Sequence, residues 1–341
     1  MARMKEAQVS KGTVVHIKDV EIPQPGPKQL VIRVVVSGSN PKDWKLIEWN
    51  MKNDFNTGDD IAGYVHSVGA DVYEFKPGDR VASFHEMMTP GGSFAEYAVG
   101  WQHSTFHIPA KVSLEQAATI PLAAMTAAIG LNRRMRLAEP WSPLPDGTKT
   151  PLVVYGGASA VGAFAIKLAR KTNIHPIIAV AGRATSYVES LIDRAKGDTI
   201  VDYRQGDAAV VHGIRDALGG AKLHYAYDAI AEHNSTANIA QVLEPDGHMT
   251  VVLPVDNADE LGGKFQLSQT MVGTAHSEDA DFAFLAFRYM ARGLADAWFT
   301  PHPHEVVPGG LEGVETGLKR LREGKASGVK YVFRIGDEAK L

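Results

Sequence analysis

The segment PLVVYGGASAVGAFAIKLAR, residues 151–170, combines an apolar run, a glycine-rich turn and a helical pattern. Residues 152–155 have the length and β-branched content of a buried parallel strand. Glycines follow at 156, 157 and 162, and the apolar residues from Val161 onward fall at helical spacing. Small residues between a strand and a helix let a pyrophosphate approach the helix N-terminus, whose N–H groups favour an anion. The spacing differs from G-x-G-x-x-G, so a structural turn is the alternative to the dinucleotide site that this order predicts.

The next apolar run, residues 176–181, bears on which dinucleotide is bound. An NAD site usually has an acid at the end of this strand, about 20 residues after the glycines, on the ribose 2′-hydroxyl. Here Gly182 and Arg183 follow the run, and the first acid is Glu189. A guanidinium in place of the acid favours the 2′-phosphate of NADPH, and a solvated surface arginine is the alternative.

Composition excludes several classes of function. The chain has 341 residues, which is room for two domains, and a net charge of −4. That charge provides no broad basic field for nucleic acid and no polybasic patch for a membrane. The absence of cysteine excludes disulfides, thiolate catalysis and cysteine-ligated zinc. An N-terminus without an apolar signal core predicts a cytoplasmic enzyme.

Two regions differ in their pattern. The first, residues 1 to about 118, has short apolar runs broken by Gly and Pro, which indicates a small irregular barrel. Its strands are expected at 28–36, 58–72 and 92–99, and residues 75–83 are expected to form a Pro-Gly-Asp turn that leads into another strand. The second alternates strands and helices, which predicts a doubly wound parallel sheet with strands at 152–155, 177–181, 199–201, 225–230 and 247–253. A helix at 279–294 and a final strand at 329–335 follow, and we expect that strand to return to the barrel.

Motifs along nearly the whole chain resemble one family. They are SGSNPKDWK (37–45), GDDIAGYVHSVGADV (58–72), FKPGDRVASF (75–84), GGSFAEYAV (91–99), IPLAAMTAAIGL (120–131), VVYGGASAVG (153–162) and GKASGVKYVFRI (324–335). The chain is similar to the zinc-independent medium-chain dehydrogenase/reductases. Within them it resembles the fungal trans-acting enoyl reductases, the ToxD-like proteins and the quinone oxidoreductase-like group.

The resemblance implies an α/β fold made of a Rossmann domain and a GroES-like irregular β-barrel catalytic domain. The catalytic domain is expected at 1–118, completed by 278–341, and the Rossmann domain at 119–277. The implied function is NADPH-dependent reduction of an activated C=C bond, in secondary metabolism. The substrate is a small molecule, either a free enone or a carrier-bound acyl thioester on a polyketide synthase. The alternatives are a quinone or aldehyde reductase and a cofactor-binding scaffold or regulator.

The zinc-containing members of the family provide a contrast. The positions of three of their zinc ligands match Asn40, Asp59 and Leu122 here, and their cysteine-rich structural lobe has no counterpart. His302 and His304 are the nearest histidine pair in a Pro-rich stretch and are interpreted as surface residues. The resemblance therefore implies a site without metal.

The predicted catalytic residues are Lys45, Thr126 and Asn40. The resemblance places Lys45 beside the nicotinamide, where a lysine can stabilise an enolate or relay a proton; a surface lysine is the alternative. Thr126, in an apolar helix, can donate to the nicotinamide amide or to the substrate, or bond back to its own turn. Asn40 and Asp43 are expected to shape the cleft, with a structural cap as the other role of Asp43.

The resemblance also supplies the cofactor site. The pyrophosphate is expected at the turn, and the 2′-phosphate and adenine at three positions after the next two strands. The nicotinamide ribose is expected after the fourth and fifth strands. One C-terminal lysine is expected to reach the cofactor, with a surface lysine as the alternative. The residues at the pyrophosphate are Gly157, Ala158, Ser159, Ala160, Val161 and Gly162. Those at the 2′-phosphate and adenine are Arg183, Ser186 and Tyr203. Those at the nicotinamide ribose are Ile230 and Leu253, and the C-terminal lysine is Lys330. The protein is expected to be a monomer or a homodimer, with 264–273 as the edge strand of the central sheet.

Overall fold

The computed structural model describes residues 2–49, 54–256 and 258–337. The chain forms two compact units, the first made of Met1–Met125 with Gly273–Leu341 and the second of Thr126–Val272. The sequence had placed the boundaries after residues 118 and 277.

The first unit begins with seven strands and three helices. They are β1 (Arg3–Ser10), β2 (Val14–Glu21), β3 (Gln29–Gly38), α1 (Lys42–Glu48), β4 (Asp60–Val68), β5 (Arg80–Phe84), β6 (Tyr97–Trp101), β7 (Thr105–His107), α2 (Leu114–Ala117) and α3 (Pro121–Ala128). Ser113 caps α2 in a capping box with Gln116, which is the N-terminus signal that the sequence shows there. The chain then continues from α3 as a π-helix over Ile129–Arg134.

The second unit alternates strands and helices. They are β8 (Leu152–Tyr155), α4 (Ala160–Lys171), β9 (Ile177–Ala181), α5 (Thr185–Glu189), β10 (Thr199–Asp202), α6 (Asp207–Leu218), β11 (Tyr225–Asp228), α7 (Ser235–Ala240), β12 (His248–Val251), α8 (Ala258–Gly262) and β13 (Gln266–Gln269). These strands form one parallel sheet in the order β10-β9-β8-β11-β12-β13. The order reverses beside β8, which is the arrangement of a doubly wound dinucleotide-binding fold. The predicted Rossmann class is confirmed, and β13 lies at the sheet edge, inside the stretch expected there.

The C-terminal segment returns to the first unit. It contains α9 (Ala280–Ala295), β14 (His304–Val307), α10 (Gly313–Arg322) and β15 (Lys330–Arg334). β15 pairs antiparallel with β3, with Val332 opposite Gly38, in a sheet of order β14-β15-β3-β4-β5-β7 to which β6 adds by pairing with β3. The predicted return of the last strand to the barrel is thereby confirmed.

One predicted strand of the first unit was largely wrong. The alternation at 92–99 predicts a strand, but only Tyr97–Trp101 forms one. The preceding residues are fixed by other partners, since the Phe94 amide bonds to the Asn56 side chain and the Phe94 carbonyl accepts from Ala7. Residues 92–95 are all buried, so this segment is an irregular buried stretch and not a strand with one exposed face.

One helical stretch, Leu114–Arg134, is the single candidate among the described residues that is long and apolar enough to cross a membrane. Its most apolar window is 94% buried inside the protein. Burial of this kind is what the core helix of a folded domain shows, because such a helix is apolar all round.

Candidate functional site

The glycine turn after β8 is shaped for close approach of a backbone or a ligand. Gly156 has φ +80°, and a Cβ on it would lie 2.5 Å from Ile230 Cγ1. A Cβ on Gly162 would lie 2.2 Å from the carbonyl oxygen of Gly156, so only glycine permits α4 to start this close to the strand. Ser159 is the N-cap of α4, and its Oγ accepts from the Gly162 amide at 3.0 Å. Ala158 and Val161 are half-buried beside it.

This cradle passes a test for a dinucleotide pyrophosphate. A side chain at Gly156 or Gly162 would overlap its neighbours in the turn. The helix α4 has 12 residues, and its N-terminus lies at this turn. Free N–H groups and the helix dipole at such a terminus favour phosphate. The residues of the turn therefore fit a dinucleotide pyrophosphate, and the contacts expected at Gly157, Ala158, Ser159, Ala160, Val161 and Gly162 stay predictions.

The end of β9 carries the residues predicted for the 2′-phosphate. Gly182 follows the strand, and a Cβ on it would lie 2.5 Å from the ring of Tyr203, which is 44% exposed. Arg183 lies in the turn that follows, and Ser186 lies in α5; both are exposed. The structure thus brings Gly182 and Tyr203 into contact at the place where NAD-dependent enzymes carry an acid.

A buried carboxylate organises the loop after β11. Asp228 accepts from the amides of Ile230 and Ala231 and from the hydroxyls of Ser235 and Thr236, all between 2.7 and 3.0 Å. Burial raises the pKa of Asp228, and these hydrogen bonds oppose that shift. Because Ile230 packs on Gly156, the Asp228 network fixes one wall of the glycine turn.

Two other predicted residues of the second unit, Leu253 and Thr126, are half-buried and buried. Leu253 is half-buried after β12. Thr126 is 5% exposed, and its carbonyl accepts from the hydroxyl of Tyr227 at 2.8 Å. Burial raises the pKa of the Tyr227 hydroxyl, so the hydroxyl keeps its proton and remains a donor.

In the first unit, three polar side chains form one buried network. Asp60 Oδ2 accepts from Asn40 Nδ2 at 2.7 Å and from Lys330 Nζ at 2.5 Å, and Lys330 also donates to Asn40 Oδ1 at 2.9 Å. The other oxygen of Asp60 accepts from the Leu122 amide at 2.7 Å. The sequence had predicted separate roles for Asn40 and Lys330, and the structure places them in direct contact.

This network depends on one close approach of the backbone. A Cβ on Gly38 would lie 2.2 Å from the carbonyl oxygen of Ala118 and 3.1 Å from Lys330 Cε. The strand β3 therefore needs glycine here, because any Cβ would overlap the Ala118 carbonyl and press on the Lys330 side chain.

A second buried cluster lies on α1 and the segment before β4. The ammonium of Lys42 contacts the Thr57 carbonyl, the Asp59 carboxylate and, at 3.1 Å, the Asp43 carboxylate. Burial lowers the pKa of Lys42, but the Asp59 and Asp43 carboxylates raise it by more, so the net shift of the pKa is upward. Burial raises the pKa of Asp43 to about 7 and that of Asp59 to about 6. With three acceptors, Lys42 has used all three of its N–H groups.

Lys45 does not belong to either network. Its ammonium lies over the ring of Trp44, at 4.8 Å from the centroid, and 5.9 Å from that of Trp49. The residue is 7% exposed, so the surface lysine that the sequence left as the alternative is not what the structure shows. Such cation–π contacts stabilise a partly desolvated ammonium.

The positions that match zinc ligands in the zinc-containing relatives take part in these two buried networks. Asn40 bonds to Asp60, Asp59 pairs with Lys42, and Leu122 supplies a backbone amide. Within the described ranges, no group of three or more His, Asp or Glu side chains could hold a metal. His302, interpreted from the sequence as a surface residue, is 2% exposed, so that interpretation was wrong; its amide bonds to Thr119.

Sequence reasoning missed Asp60, Lys42 and Asp228 as organising residues. A signal for Asp60 was present, since an acid at the start of an apolar strand must find a partner when it is buried. The signal for Asp228 was the same, at the end of a buried strand. The partners could not be read from the sequence because they are distant from these acids or belong to an irregular loop.

Comparisons with known proteins agree with this architecture. The profile of the alcohol dehydrogenase GroES-like domain matches residues 26–110. The trans-enoyl reductase fsr4 of Gibberella fujikuroi is 46% identical over 312 residues, which cover 91% of this chain and 92% of that protein.

Solved structures show the same fold. An alcohol dehydrogenase superfamily protein of Novosphingobium aromaticivorans aligns over 98% of this chain and 100% of its own, with a TM-score of 0.79 and 20% identity. A mycobacterial protein in complex with NADPH aligns over 96% and 99% of the two chains, with a TM-score of 0.76 and 21% identity. On the extent and identity of the fungal match, the chain belongs to the trans-enoyl reductases of the zinc-independent medium-chain dehydrogenase/reductase family.

Proposed function

We propose that the protein reduces the activated C=C bond of an α,β-unsaturated carbonyl or acyl thioester, using NADPH and no zinc. The observation that carries the proposal is the 46% identity, over nine-tenths of both chains, to a protein named a trans-enoyl reductase. The geometry supports it because the described residues supply a dinucleotide cradle in one unit and a buried donor network in the other.

Preference for NADPH is supported by the end of β9. Gly182 leaves no acid to repel a 2′-phosphate, and it leaves room for the ring of Tyr203. The exposed Arg183 and Ser186 follow within one turn and offer charge and a hydroxyl to a phosphate. A protein of the same fold is known in complex with NADPH, which is consistent with this assignment.

The chemistry needs a positioned electrophile and a proton. Bound NADPH supplies a hydride to the β-carbon of the acceptor. Negative charge then develops on the carbonyl oxygen of the acceptor, and Asn40 is proposed to donate to that oxygen. Lys45 is proposed to stabilise the charge or relay the proton that the α-carbon takes up. Thr126 is proposed to orient the nicotinamide amide or the substrate through its hydroxyl.

The proposed setting is fungal secondary metabolism in the cytoplasm, with a small-molecule substrate that is free or carried on a polyketide synthase. The net charge of −4 gives no support for a nucleic acid or membrane partner. The edge strand β13 is proposed to be either solvated or paired in a homodimer, because an edge strand presents unpaired backbone groups.

The test is NADPH oxidation against an enoyl thioester, a free enone, an ortho-quinone and an aldehyde, with analysis of each product. We expect turnover of the thioester or the enone to a saturated product. Turnover of the quinone or the aldehyde alone would replace this proposal with a carbonyl or quinone reductase. NADPH binding without any turnover would favour a scaffolding or regulatory role.

A further inference from the structure

We infer that the side-chain amide of Asn40 and the ammonium of Lys330 act together as an oxyanion-binding pair for the carbonyl oxygen of the substrate. The inference rests on the proposed C=C reduction. It assigns Lys330 to the substrate and adds Asp60 as the residue that positions both donors.

The first step is a count of hydrogen-bond donors. An amide nitrogen carries two N–H groups and an ammonium carries three. Asn40 Nδ2 donates to Asp60, and Lys330 Nζ donates to Asn40 and Asp60. Across residues 2–49, 54–256 and 258–337, one N–H of Asn40 and one of Lys330 therefore have no acceptor.

The second step is the orientation of the Asn40 amide. Lys330 is a donor only, so the atom of Asn40 that it contacts at 2.9 Å must be the oxygen. Asp60 accepts from the other end of the same amide at 2.7 Å. The amide is thereby fixed with its NH₂ group on the Asp60 side, which leaves the second N–H as a preset donor.

The third step is rigidity and charge. Asp60 is 0% exposed, and Asn40 and Lys330 are 3% and 5% exposed, so all three side chains lie in surroundings that hold little water. Both nitrogens lie within hydrogen-bond distance of the same Asp60 oxygen, which keeps them close to each other. Donors held in a dry site stabilise developing charge without reorganisation, and this is how an oxyanion hole works.

The fourth step is the electron balance of the reaction. The hydride that NADPH would supply when bound, by loss of a C–H bond of its nicotinamide, bonds to the β-carbon. The C=C pair then joins the α-carbon to the carbonyl carbon, and the C=O pair moves onto the oxygen as the enolate charge. The free N–H groups of Asn40 and Lys330 bond to that oxygen. The carbon–carbon π pair of the enolate then takes a proton from water at the α-carbon, which leaves hydroxide, and the pair on oxygen re-forms C=O. The saturated acyl thioester then leaves the two donors.

The test compares Asn40→Ala, Asn40→Asp and the double variant Lys330→Met with Asp60→Asn. The double variant removes the cation and the buried charge together, so that it does not leave an unpaired carboxylate. Asn132→Ala is the matched control, since Asn132 is also a buried asparagine but belongs to the other unit.

Two readouts are needed. The first is kcat with crotonyl thioester and NADPH, beside the Kd of NADPH. The second is the absorbance of the enolate of an acetoacetyl thioester bound with NADP⁺, which reports stabilisation of the oxyanion without hydride transfer. In Asn40→Ala we expect kcat to fall about 10²-fold, the cost of one oxyanion donor, while the Kd of NADPH changes less than about twofold.

The outcomes separate this inference from the proposed function. Loss of the enolate signal in Asn40→Ala, Asn40→Asp and the double variant, but not in Asn132→Ala, supports the pair. That support stands even if the wild type reduces no enoyl thioester, in which case the proposed function alone fails. A wild type without an enolate signal, or variants that keep both the signal and kcat within about threefold, would overturn the pair.

Discussion

The ammonium of Lys330 lies 2.5 Å from the carboxylate of Asp60, and the two side chains are 3% and 0% exposed. They are 270 positions apart in the chain and meet because β15 pairs with β3 beside β4. A buried ion pair of this kind is costly to break, since either partner alone would be an uncompensated buried charge. The candidate site of the first unit is therefore also a determinant of its stability.

Lys330→Met alone should destabilise the first unit by about 3–5 kcal/mol, because Asp60 keeps its charge without a partner. Adding Asp60→Asn should recover most of that loss. Urea unfolding followed by tryptophan fluorescence measures both variants. Lys319→Met, which breaks a partly exposed pair with Glu315, is the control and should cost less than about 1 kcal/mol. Equal losses in the single and double variants would contradict an ion pair that matters for stability.

Gly182→Ala should weaken NADPH binding about tenfold or more, since its Cβ would lie 2.5 Å from the Tyr203 ring and the ring must move. Cofactor titration by fluorescence measures the effect. Gly263→Ala, where the nearest atom is 3.6 Å away, is the control and should bind NADPH as the wild type does. Unchanged binding in Gly182→Ala would mean that Tyr203 has no part in the cofactor site.

Arg183→Ala should weaken NADPH by about 10- to 100-fold, the range expected for a charge-assisted bond to phosphate, and leave NADH nearly unchanged. The reason is that only NADPH carries the 2′-phosphate. Titration with both cofactors gives the ratio directly. Arg133→Ala, an exposed arginine in the same unit, serves as the control. Equal losses for the two cofactors would remove Arg183 from the site.

A histidine pair in the first unit should make stability depend on pH. His103 Nε2 lies 3.2 Å from His276 Nδ1, and burial lowers the pKa of His103 to about 4 and that of His276 to about 3. The unfolded chain takes up protons below about pH 6.5, whereas the folded protein does not until about 4. The stability that these neutral histidines permit is therefore fully present above pH 6.5, and it is lost as the pH falls below 6.5 and through 4.

Replacing both histidines by asparagine should flatten that dependence, measured as the thermal midpoint between pH 7 and pH 4.5. The control is His212→Asn, because the His212 side chain is 78% exposed. The same slope in the double variant and the wild type would show that other groups cause the acid sensitivity.

Much of the fold could be predicted because its signals are local. The apolar run at 152–155, the glycines after it and the alternation that follows each specify a strand, a turn or a helix within a few residues. The return of the last strand to the barrel followed from its distance from the other barrel strands. The strand predicted at 92–99 was wrong because its buried residues are fixed by Asn56 and Ala7, which lie far away in sequence.

The sequence predicted several residues of the candidate site but not the contacts between them. Asn40 and Lys330 were selected for different roles, and only the pairing of β15 with β3 reveals that they share Asp60. The loop after β11 was missed because its shape depends on a buried carboxylate and on positive φ angles at Ala231, His233 and Asn234, which no propensity predicts. Lys45 was predicted from the resemblance, and its burial, with 7% of the residue exposed, depends on the tertiary fold.

The central claim is that the protein transfers a hydride to the β-carbon of a conjugated double bond. Its most direct measurement is turnover of an enoyl thioester with NADPH that carries deuterium at the transferred position of the nicotinamide, with mass spectrometry and NMR of the product. The account predicts a saturated acyl thioester with one deuterium on its β-carbon. Deuterium on the former carbonyl carbon, in an alcohol or hemithioacetal that keeps its double bond, would contradict it.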